Sequence, residues 1–391
     1  MEPLDHLERF IHRVSGAQAT VETPRCLREH SGLSDCHLCV KSCPVQSIDL
    51  GGGVHVLNHC TGCGVCLTVC PVSAFDLHGA AAGQLLSQTA SLLRESPSLF
   101  IACEQSTDAA PGTLILPCLA RLDETLLLGA LALGARQVHL SRGPCENCPY
   151  PEAMPRYRRM LDRVRVWVQA LPRCSGRIVE GGEGRREAQK KPEAEGPGRR
   201  AFFGWVRSEG MQLMAAFLDD FSQGLRGSGV VRGVSLPLRN RLLPDFLTRL
   251  GVEQGEVPYD PEGPFAELLL DEVTCSACEA CAHTCPTGAI ERGGDEEAFF
   301  LTLDASRCIN CALCLDACIP NALTYRQGIS LARVASRDRQ ILVEKAYRRC
   351  GRCEARFLWN GETESQDLCS TCQYLADLEE SPAVPEEGVG G

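Results

Sequence analysis

The sequence is poor in aromatic residues, lacks a basic excess and contains no long apolar run. Aromatic residues make up 5% of the 391 positions, so cores built on large side chains have to be small. The formal net charge of -11 argues against nucleic-acid binding, which favours a basic stripe. No apolar run reaches the ~18 residues of a membrane span, and the first residues carry no charged-then-apolar leader.

Cysteine, in contrast, is abundant, with 25 residues in all. A disulfide scaffold is one explanation, but such scaffolds are short chains that are secreted after a signal peptide. The length of this chain and the missing leader favour a reducing, cytoplasmic compartment in which most cysteines are metal ligands. Metal clusters can stabilise small domains that have few large side chains.

The most informative cysteines form a tandem run in the carboxyl-terminal half. It reads Cys275-x2-Cys278-x2-Cys281-x3-Cys285-Pro286, followed by Cys308-x2-Cys311-x2-Cys314-x3-Cys318. Three cysteines on one tight loop wrap three corners of an iron–sulfur cube, and the fourth ligand must come from elsewhere. The run resembles the bacterial two-cluster ferredoxins. The resemblance implies one [4Fe–4S] cluster on Cys275, Cys278, Cys281 and Cys318, and a second on Cys308, Cys311, Cys314 and Cys285. Ile319 displaces the expected proline after Cys318, which leaves the detail of that loop open.

A looser copy of the run lies near the amino terminus. Its second half, Cys60, Cys63, Cys66 and Cys70, is regular, but its first half has Leu33 where a fourth cysteine would stand. Cys26 is the expected substitute, because a loop of about ten residues costs little to close. The same resemblance then implies the sets Cys26, Cys36, Cys39 and Cys70, and Cys60, Cys63, Cys66 and Cys43. If Cys26 does not reach, the first cluster would be a three-iron cluster or would need a foreign ligand.

Between these modules, cysteines follow three short apolar runs. Cys103 follows residues 99–102, Cys118 follows residues 113–116, and Cys145 and Cys148 follow residues 137–140. With a helix predicted over residues 122–133 and closed by Gly134, this order predicts a parallel α/β sheet. Consecutive parallel strands end at one edge of a sheet, so the four cysteines could meet there.

This middle segment resembles the delta subunit of methyl-viologen-reducing hydrogenase. The similarity lies in Ile101-Ala102-Cys103, in Leu116-Pro117-Cys118-Leu119-Ala120-Arg121-Leu122-Asp123 and in Arg142-Gly143-Pro144-Cys145-Glu146-Asn147-Cys148. It implies a [2Fe–2S] cluster on Cys103, Cys118, Cys145 and Cys148, with electrons passed to a heterodisulfide reductase. Two alternatives stay open. Cys145 and Cys148 could be a redox dithiol, or the four cysteines could hold structural zinc or no metal.

Two further Cys-x2-Cys pairs lie near the carboxyl end. Cys350, Cys353, Cys369 and Cys372 match a zinc ribbon with one structural zinc in tetrahedral coordination, and a further iron–sulfur cluster is the alternative. These assignments use 24 of the 25 cysteines and leave Cys174, for which a buried thiol is the default.

We therefore predict an α+β multi-domain protein. Two ferredoxin-type cluster modules flank a small α/β parallel-sheet domain, and a zinc-ribbon-like element follows them. The predicted boundaries are 1–80 for the amino-terminal module, 81–174 for the α/β domain, 175–200 for a flexible linker, 201–264 for a helical connector, 265–330 for the carboxyl-terminal module, 331–378 for the ribbon and 379–391 for a disordered acidic tail.

The sequence contains no dinucleotide-binding fingerprint and indicates no catalytic residue. We predict an electron-transfer subunit that relays electrons through four [4Fe–4S] clusters within a larger cytoplasmic oxidoreductase complex. The expected partners are other redox subunits: a flavoprotein, a molybdenum enzyme, a hydrogenase or a heterodisulfide-reductase-type assembly. The alternatives are a thiol/disulfide redox enzyme that uses the middle cysteines, and an assembly or maturation factor for a metalloenzyme.

Overall fold

A computed structural model of the chain describes residues 18–77, 82–107, 111–181, 234–359 and 367–380. The helices in these ranges are α1 Leu27–His30, α2 Leu38–Ser42, α3 Val65–Val69, α4 Ala82–Glu95, α5 Glu124–Ala132, α6 Met154–Gln169, α7 Leu238–Arg249, α8 Ala280–Thr284, α9 Leu313–Asp316, α10 Leu331–Ser336 and α11 Ser370–Glu380. The strands are β1 Thr20–Val21, β2 Ile48–Asp49, β3 His55–Val56, β4 Phe75–Asp76, β5 Ser98–Cys103, β6 Thr113–Leu116, β7 Gln137–Ser141, β8 Ile178–Glu180, β9 Glu256–Pro258, β10 Leu268–Leu270, β11 Ile290–Gly294, β12 Ala298–Asp304, β13 Leu323–Tyr325, β14 Gly328–Ser330, β15 Arg339–Arg349 and β16 Arg356–Leu358. None of these helices is long and apolar enough to cross a membrane.

Parts of six of the seven predicted segments lie outside the described residues. They are residues 1–17 and 78–80 of the amino-terminal module, 81 and 108–110 of the α/β domain, 182–200 of the linker, 201–233 of the connector, 360–366 of the ribbon and 381–391 of the tail. Helix α11 extends two residues into that predicted tail, as far as Glu380.

The two cysteine-rich modules share one backbone plan. In the amino-terminal module an outer antiparallel pair, β1 with β4, accompanies the hairpin β2–β3. In the carboxyl-terminal module β10 pairs with β13 in the same way, and β11–β12 takes the place of the hairpin. There the hairpin is longer and continues through β15 and β16 into a four-stranded antiparallel sheet. The internal repeat of the cysteine pattern is therefore also a repeat of the fold.

The middle segment folds as a parallel sheet with the strand order β6-β5-β7-β8. Asp123 caps the amino end of helix α5, where its side chain accepts a 2.9 Å hydrogen bond from the Leu126 amide, and the helix ends before Gly134 at φ 100°. All of its residues are buried, as expected of a helix that is apolar on every side. Strand β8 lies within the segment predicted as a linker. No strand was predicted there, because Ile178 and Val179 make only a short apolar segment among glycines and charged residues.

Helix α7 joins this sheet to the carboxyl-terminal half. It packs against α5 on one side and α10 on the other, and one continuous core contains residues of all three helices. The approach to α5 is close at Gly129, where an added Cβ would lie 2.8 Å from Leu86 Cδ2 and 2.9 Å from Phe246 Cε2. The described part of the predicted connector is therefore a packed element of the core.

Contacts of buried arginine side chains connect the sheet domain with the carboxyl-terminal half and with the amino-terminal module. The Arg163 side chain on α6 is 4% exposed, and its Nε and Nη1 lie 2.6 Å from Glu124 Oε1 and 3.0 Å from Asp260 Oδ2. Burial alone would raise the pKa of Glu124, but Arg163 and neighbouring guanidiniums hold it below its ordinary value. Arg156 Nη2 and Arg239 Nη1 each donate a 3.3 Å hydrogen bond to Thr68 of the amino-terminal module. These contacts fix the position of each module relative to the sheet.

Replacing Glu124 with glutamine leaves the buried Arg163 guanidinium with only part of its counter-charge. We expect Glu124→Gln to lower the free energy of unfolding by about 3 kcal/mol, the scale for breaking a buried ion pair from one side. The control is Arg165→Ala, also on α6, which removes solvent-accessible pairs with Asp162 and Glu180 and should cost less than about 1 kcal/mol. Anaerobic urea unfolding measures both variants, and equal losses would contradict a special role for the buried pair.

Candidate metal centres

The four sets of cysteines predicted from the two modules line four separate cavities. The sets are Cys26, Cys36, Cys39 and Cys70; Cys43, Cys60, Cys63 and Cys66; Cys285, Cys308, Cys311 and Cys314; and Cys275, Cys278, Cys281 and Cys318. Their volumes, counting open solvent, are ≈ 370, ≈ 350, ≈ 370 and ≈ 310 Å³ in that order. In each module the last cysteine of one run therefore lies in the cavity of the other run.

The four cysteines that cross between runs begin the same tight turn. Each thiol accepts a backbone N–H from four residues further on, at 3.2 Å for Cys43, 3.3 Å for Cys70, 3.2 Å for Cys285 and 3.3 Å for Cys318. The residue before each donor has a left-handed φ: 53° at Gln46, 50° at Ser73, 64° at Gly288 and 55° at Asn321. The turn after Cys318 keeps this form although Ile319 replaces proline, and the Ile319 side chain is 92% exposed.

The regular runs also share a loop conformation that the first amino-terminal run lacks. In each of the three regular runs, both neighbours of the second cysteine have positive φ: Gly62 and Gly64, Ala277 and Glu279, and Asn310 and Ala312. At Cys36, in contrast, the following residue His37 has φ -141°. Cys26 reaches the same cavity as Cys36 from the turn before α1. The missing cysteine at position 33 thus accompanies a different backbone, and Cys26 lies where a substitute would have to lie.

Burial dominates the chemistry of these thiols. Burial, with neighbouring thiols, raises the pKa of Cys39 and of Cys311 to about 12, and burial raises that of Cys281 and Cys308 to about 11. Thiols of this kind stay protonated and unreactive near neutral pH unless a metal displaces the proton. These buried thiols are therefore suited to hold metal and poorly suited to nucleophilic chemistry, whereas a backbone hydrogen bond from Ala280 lowers the pKa of the exposed Cys278.

The middle cysteines line a fifth cavity of ≈ 360 Å³, counting open solvent. Cys103 ends β5, Cys118 follows β6, and Cys145 and Cys148 follow β7, so the shared edge of the parallel strands brings them together. Backbone amides donate to three of the thiols: Gly143 to Cys103 at 3.1 Å, Ala120 to Cys118 at 3.5 Å and Tyr150 to Cys148 at 3.4 Å. Burial raises the pKa of Cys118 to about 11.

The carboxyl-terminal module packs against the amino-terminal module. Ile309 and Leu313, which flank Cys311, belong to the same buried cluster as Cys39 and Cys70. The loop that carries Cys308, Cys311 and Cys314 therefore packs against the amino-terminal module.

The other amino-terminal cavity adjoins the middle cavity. The Arg121 side chain lies against Gly64, where an added Cβ would be 2.7 Å from Arg121 Cδ. Tyr150, which lines the middle cavity, is hydrogen-bonded to Thr61, which lines the cavity of Cys60, Cys63 and Cys66. Neither Arg121 nor Tyr150 was identified from the sequence, because their role depends on a contact between modules that no spacing encodes.

The pairs at the carboxyl end form a tighter site than the other five. The thiols of Cys350, Cys353, Cys369 and Cys372 all lie within 4.8 Å of one another, and Cys353 Sγ is 3.7 Å from Cys369 Sγ. Tetrahedral zinc with bonds of about 2.3 Å places its sulfurs about 3.8 Å apart. Among the described residues, no other group of three or more His, Cys, Asp or Glu side chains has its ligand atoms within 4.8 Å of one another. A single ion fits here, and the other sets surround more space.

The cavities, the crossing cysteines and the turns define an iron–sulfur electron-transfer protein, and comparison with known proteins agrees. Residues 33–80 match the LdpA Fe-S cluster-binding domain, and residues 274–323 match the 4Fe-4S dicluster domain. The chain is 32% identical over 60 residues to an uncharacterised ferredoxin of Methanocaldococcus jannaschii, which is 15% of this chain and 78% of that protein. The chain therefore belongs to the ferredoxin family, and the predicted ferredoxin resemblance is confirmed.

A second relative is the pyruvate synthase subunit PorD of the same organism. It is 39% identical over 56 residues, which is 14% of this chain and 62% of that subunit. The resemblance to the hydrogenase delta subunit and the zinc ribbon stay predictions.

The contact between Arg121 and the loop of Cys63 can be tested with two glycines of similar conformation. Gly64 has φ +77° and Gly52 has φ +72°, but an added Cβ meets Arg121 at Gly64 and nothing within 4 Å at Gly52. Left-handed backbone should cost either alanine variant about 1 kcal/mol. We expect Gly64→Ala to lower the free energy of unfolding by about 1 kcal/mol more than Gly52→Ala, because Arg121 has to move. Anaerobic thermal unfolding compares the two, and equal effects would contradict the contact.

Proposed function

We propose that this protein relays electrons along a line of five iron–sulfur sites, as a subunit of a larger cytoplasmic oxidoreductase complex. The observations that carry the proposal are two contacts. The carboxyl-terminal module packs against the amino-terminal module through Ile309 and Leu313, and the cavity of Cys60, Cys63 and Cys66 adjoins the middle cavity through Thr61 and Tyr150. In the proposed order the two carboxyl-terminal sites come first, the two amino-terminal sites follow and the middle site comes last.

The proposed ligands of the four [4Fe–4S] clusters are the four sets that line the outer cavities. This assignment is supported by the exchange of the last cysteine between the runs of each module, which is the arrangement of two-cluster ferredoxins. For the Cys36 set, support comes from Cys26, which lines the cavity that needs a fourth thiol. Zinc is the proposed occupant of the carboxyl-terminal site, on the strength of its short sulfur–sulfur distance.

The clusters supply one-electron redox chemistry when bound, and the residues of the chain control it. The N–H donors to Cys43, Cys70, Cys285 and Cys318 favour the more negative, reduced state of a bound cluster, since they neutralise charge on sulfur. Arg121, beside Cys63 and Cys66, adds a buried positive charge to the same effect. Apolar side chains such as Ile309 and Leu313 exclude water between modules.

The ends of the line would exchange electrons with partners. Cys278, at one end, is the one exposed cysteine of the five sites, and Cys145 and Cys148, at the other end, are partly exposed, as are thiols of the inner sites. Similarity to a pyruvate synthase subunit supports membership in a redox enzyme complex. A flavoprotein, a molybdenum enzyme, a hydrogenase or a heterodisulfide-reductase-type assembly would be a suitable partner. Anaerobic native co-purification tests this: a flavin-, molybdenum- or nickel-bearing partner is expected, and a lone chain that turns over thiols would overturn the proposal.

Metal analysis of the anaerobically purified chain tests the ligand sets. We expect about 16 iron ions from the four outer sets, additional iron from the middle site and about one zinc ion. A total near eight iron ions would remove one module from the relay. The double variant Cys350→Ala/Cys353→Ala should lose the zinc and keep all the iron, whereas a loss of iron would show that the carboxyl-terminal site holds a cluster.

The relay itself is tested in the isolated complex with the variant Cys66→Ala, which removes a ligand of the site that joins the two modules to the middle cavity. We expect electron transfer through the complex to fall at least tenfold, because the line is interrupted at its fourth site. The control is Cys174→Ala, which changes a buried cysteine that lines none of the five cavities. Unchanged transfer in Cys66→Ala would contradict the proposed order.

A further inference from the structure

We infer that the surface beside the Cys275 site docks a redox protein whose own contact surface has basic residues around an apolar centre. The inference rests on the proposed function, in which this site is one end of the line. It goes further by naming the residues that meet the partner and the charge that the partner carries. The surface is called the end patch, and its exposed side chains are Asp271, Glu272, Val273, Cys278, Asp316 and Ile319.

Two segments of the chain bring the end patch together at one site. One segment leads to Cys275 and the other surrounds Cys318, and both cysteines line the same cavity. Where the pairing of β10 with β13 ends, the Asp271 amide donates a 2.8 Å hydrogen bond to the carbonyl of Ala322, so the two segments lie side by side. The end patch therefore lies beside Cys278, the one exposed cysteine of the five sites.

The apolar part of the end patch is made by two exposed aliphatic side chains. Ile319 is 92% exposed and Val273 is 58% exposed. Ile319 directly follows a proposed cluster ligand, in a turn that proline suits equally well, so the turn itself does not require this side chain. Apolar side chains at the centre of an interface supply much of its binding energy, and these two lie next to the most accessible ligand.

The charged part of the end patch is acidic. Its three carboxylates, at positions 271, 272 and 316, are exposed. The neighbouring cations do not cancel them, because Arg292 Nε lies 3.3 Å from Glu279 Oε1 and Lys345 is buried. Complementary charge steers the encounter of two proteins, so a basic contact surface fits this patch. A second copy of this chain, with its net charge of -11, would be repelled.

Mitochondrial cytochrome c serves as a defined partner, because it is basic around an apolar haem edge and accepts one electron. The full chain is reduced anaerobically with dithionite, separated from excess reductant and mixed with ferric cytochrome c. One electron passes from a reduced cluster to the haem iron, which becomes ferrous, and no covalent bond forms or breaks. The absorbance of the haem gives the rate at low and at high ionic strength.

The variant Glu272→Gln/Asp316→Asn removes two charges and keeps Asp271, whose Oδ1 accepts a 3.0 Å hydrogen bond from the Val273 amide. We expect the reduction of cytochrome c to be about fivefold slower at low ionic strength and unchanged at high ionic strength, where salt screens the charges. Glu296→Gln/Glu297→Gln is the control, with the same change of charge at the exposed tip of the β11–β12 hairpin. Equal rates in the two variants would overturn the inference.

The variant Ile319→Ser removes the apolar centre and leaves the charges in place. We expect the reduction to be about threefold slower at both ionic strengths, because salt does not screen apolar contacts. The control Val166→Ser changes an exposed aliphatic side chain on α6 and should have no effect. Sedimentation velocity examines the other occupant: a dimer of the wild-type chain that Ile319→Ser abolishes would overturn the inference in favour of a second copy.

Ferricyanide separates this inference from the proposed function. It is a small anion that accepts one electron and needs no docking surface, so every variant should deliver as many electrons to it as the wild type. A full count of electrons together with unchanged cytochrome c rates would overturn the inference alone. A wild-type chain that delivers no electrons to ferricyanide would overturn the proposed function, and the inference with it.

Discussion

The buried guanidinium of Arg163 needs two carboxylates, and they come from different parts of the chain: Glu124 from the sheet domain and Asp260 from the carboxyl-terminal half. A charge this deep is tolerated only when it is paired, so the two parts cannot separate without a large cost. Arg156 and Arg239 extend the junction to Thr68. Because every cavity is carried on one of these parts, the spacing of the metal sites depends on this junction.

The same local chemistry recurs at each of the outer sites. A cysteine begins a turn, a residue with left-handed φ follows, and the next amide returns to the sulfur. Proline directly after the cysteine suits this turn but is not required, because the turn after Cys318 has the same form with Ile319 at that position. The carboxyl-terminal module adds one device: Lys345, buried on β15, donates a 2.6 Å hydrogen bond to the carbonyl of Cys275, and the same strand leads directly to Cys350.

The spacing of the cysteines along the chain predicted most of the local features of the metal sites. It grouped the thiols that line each outer cavity, and the common edge of parallel strands grouped Cys103 with Cys118 across the sheet. Strand β8 was missed because Ile178 and Val179 give too short a signal among glycines and charges. The order of the sites in space could not be predicted, since it depends on Ile309 and Leu313 packing into a core formed about 240 residues earlier in the chain. Such long-range contacts leave no periodic pattern.

The position of Ile309 and Leu313 also has a consequence for biosynthesis. The ribosome makes the first module long before these two side chains, which complete the apolar cover around Cys39 and Cys70. Until residue 313 has left the ribosome, the buried cluster around Cys39 and Cys70 lacks these two apolar side chains. The core of the first module is therefore completed only after most of the second module has been made.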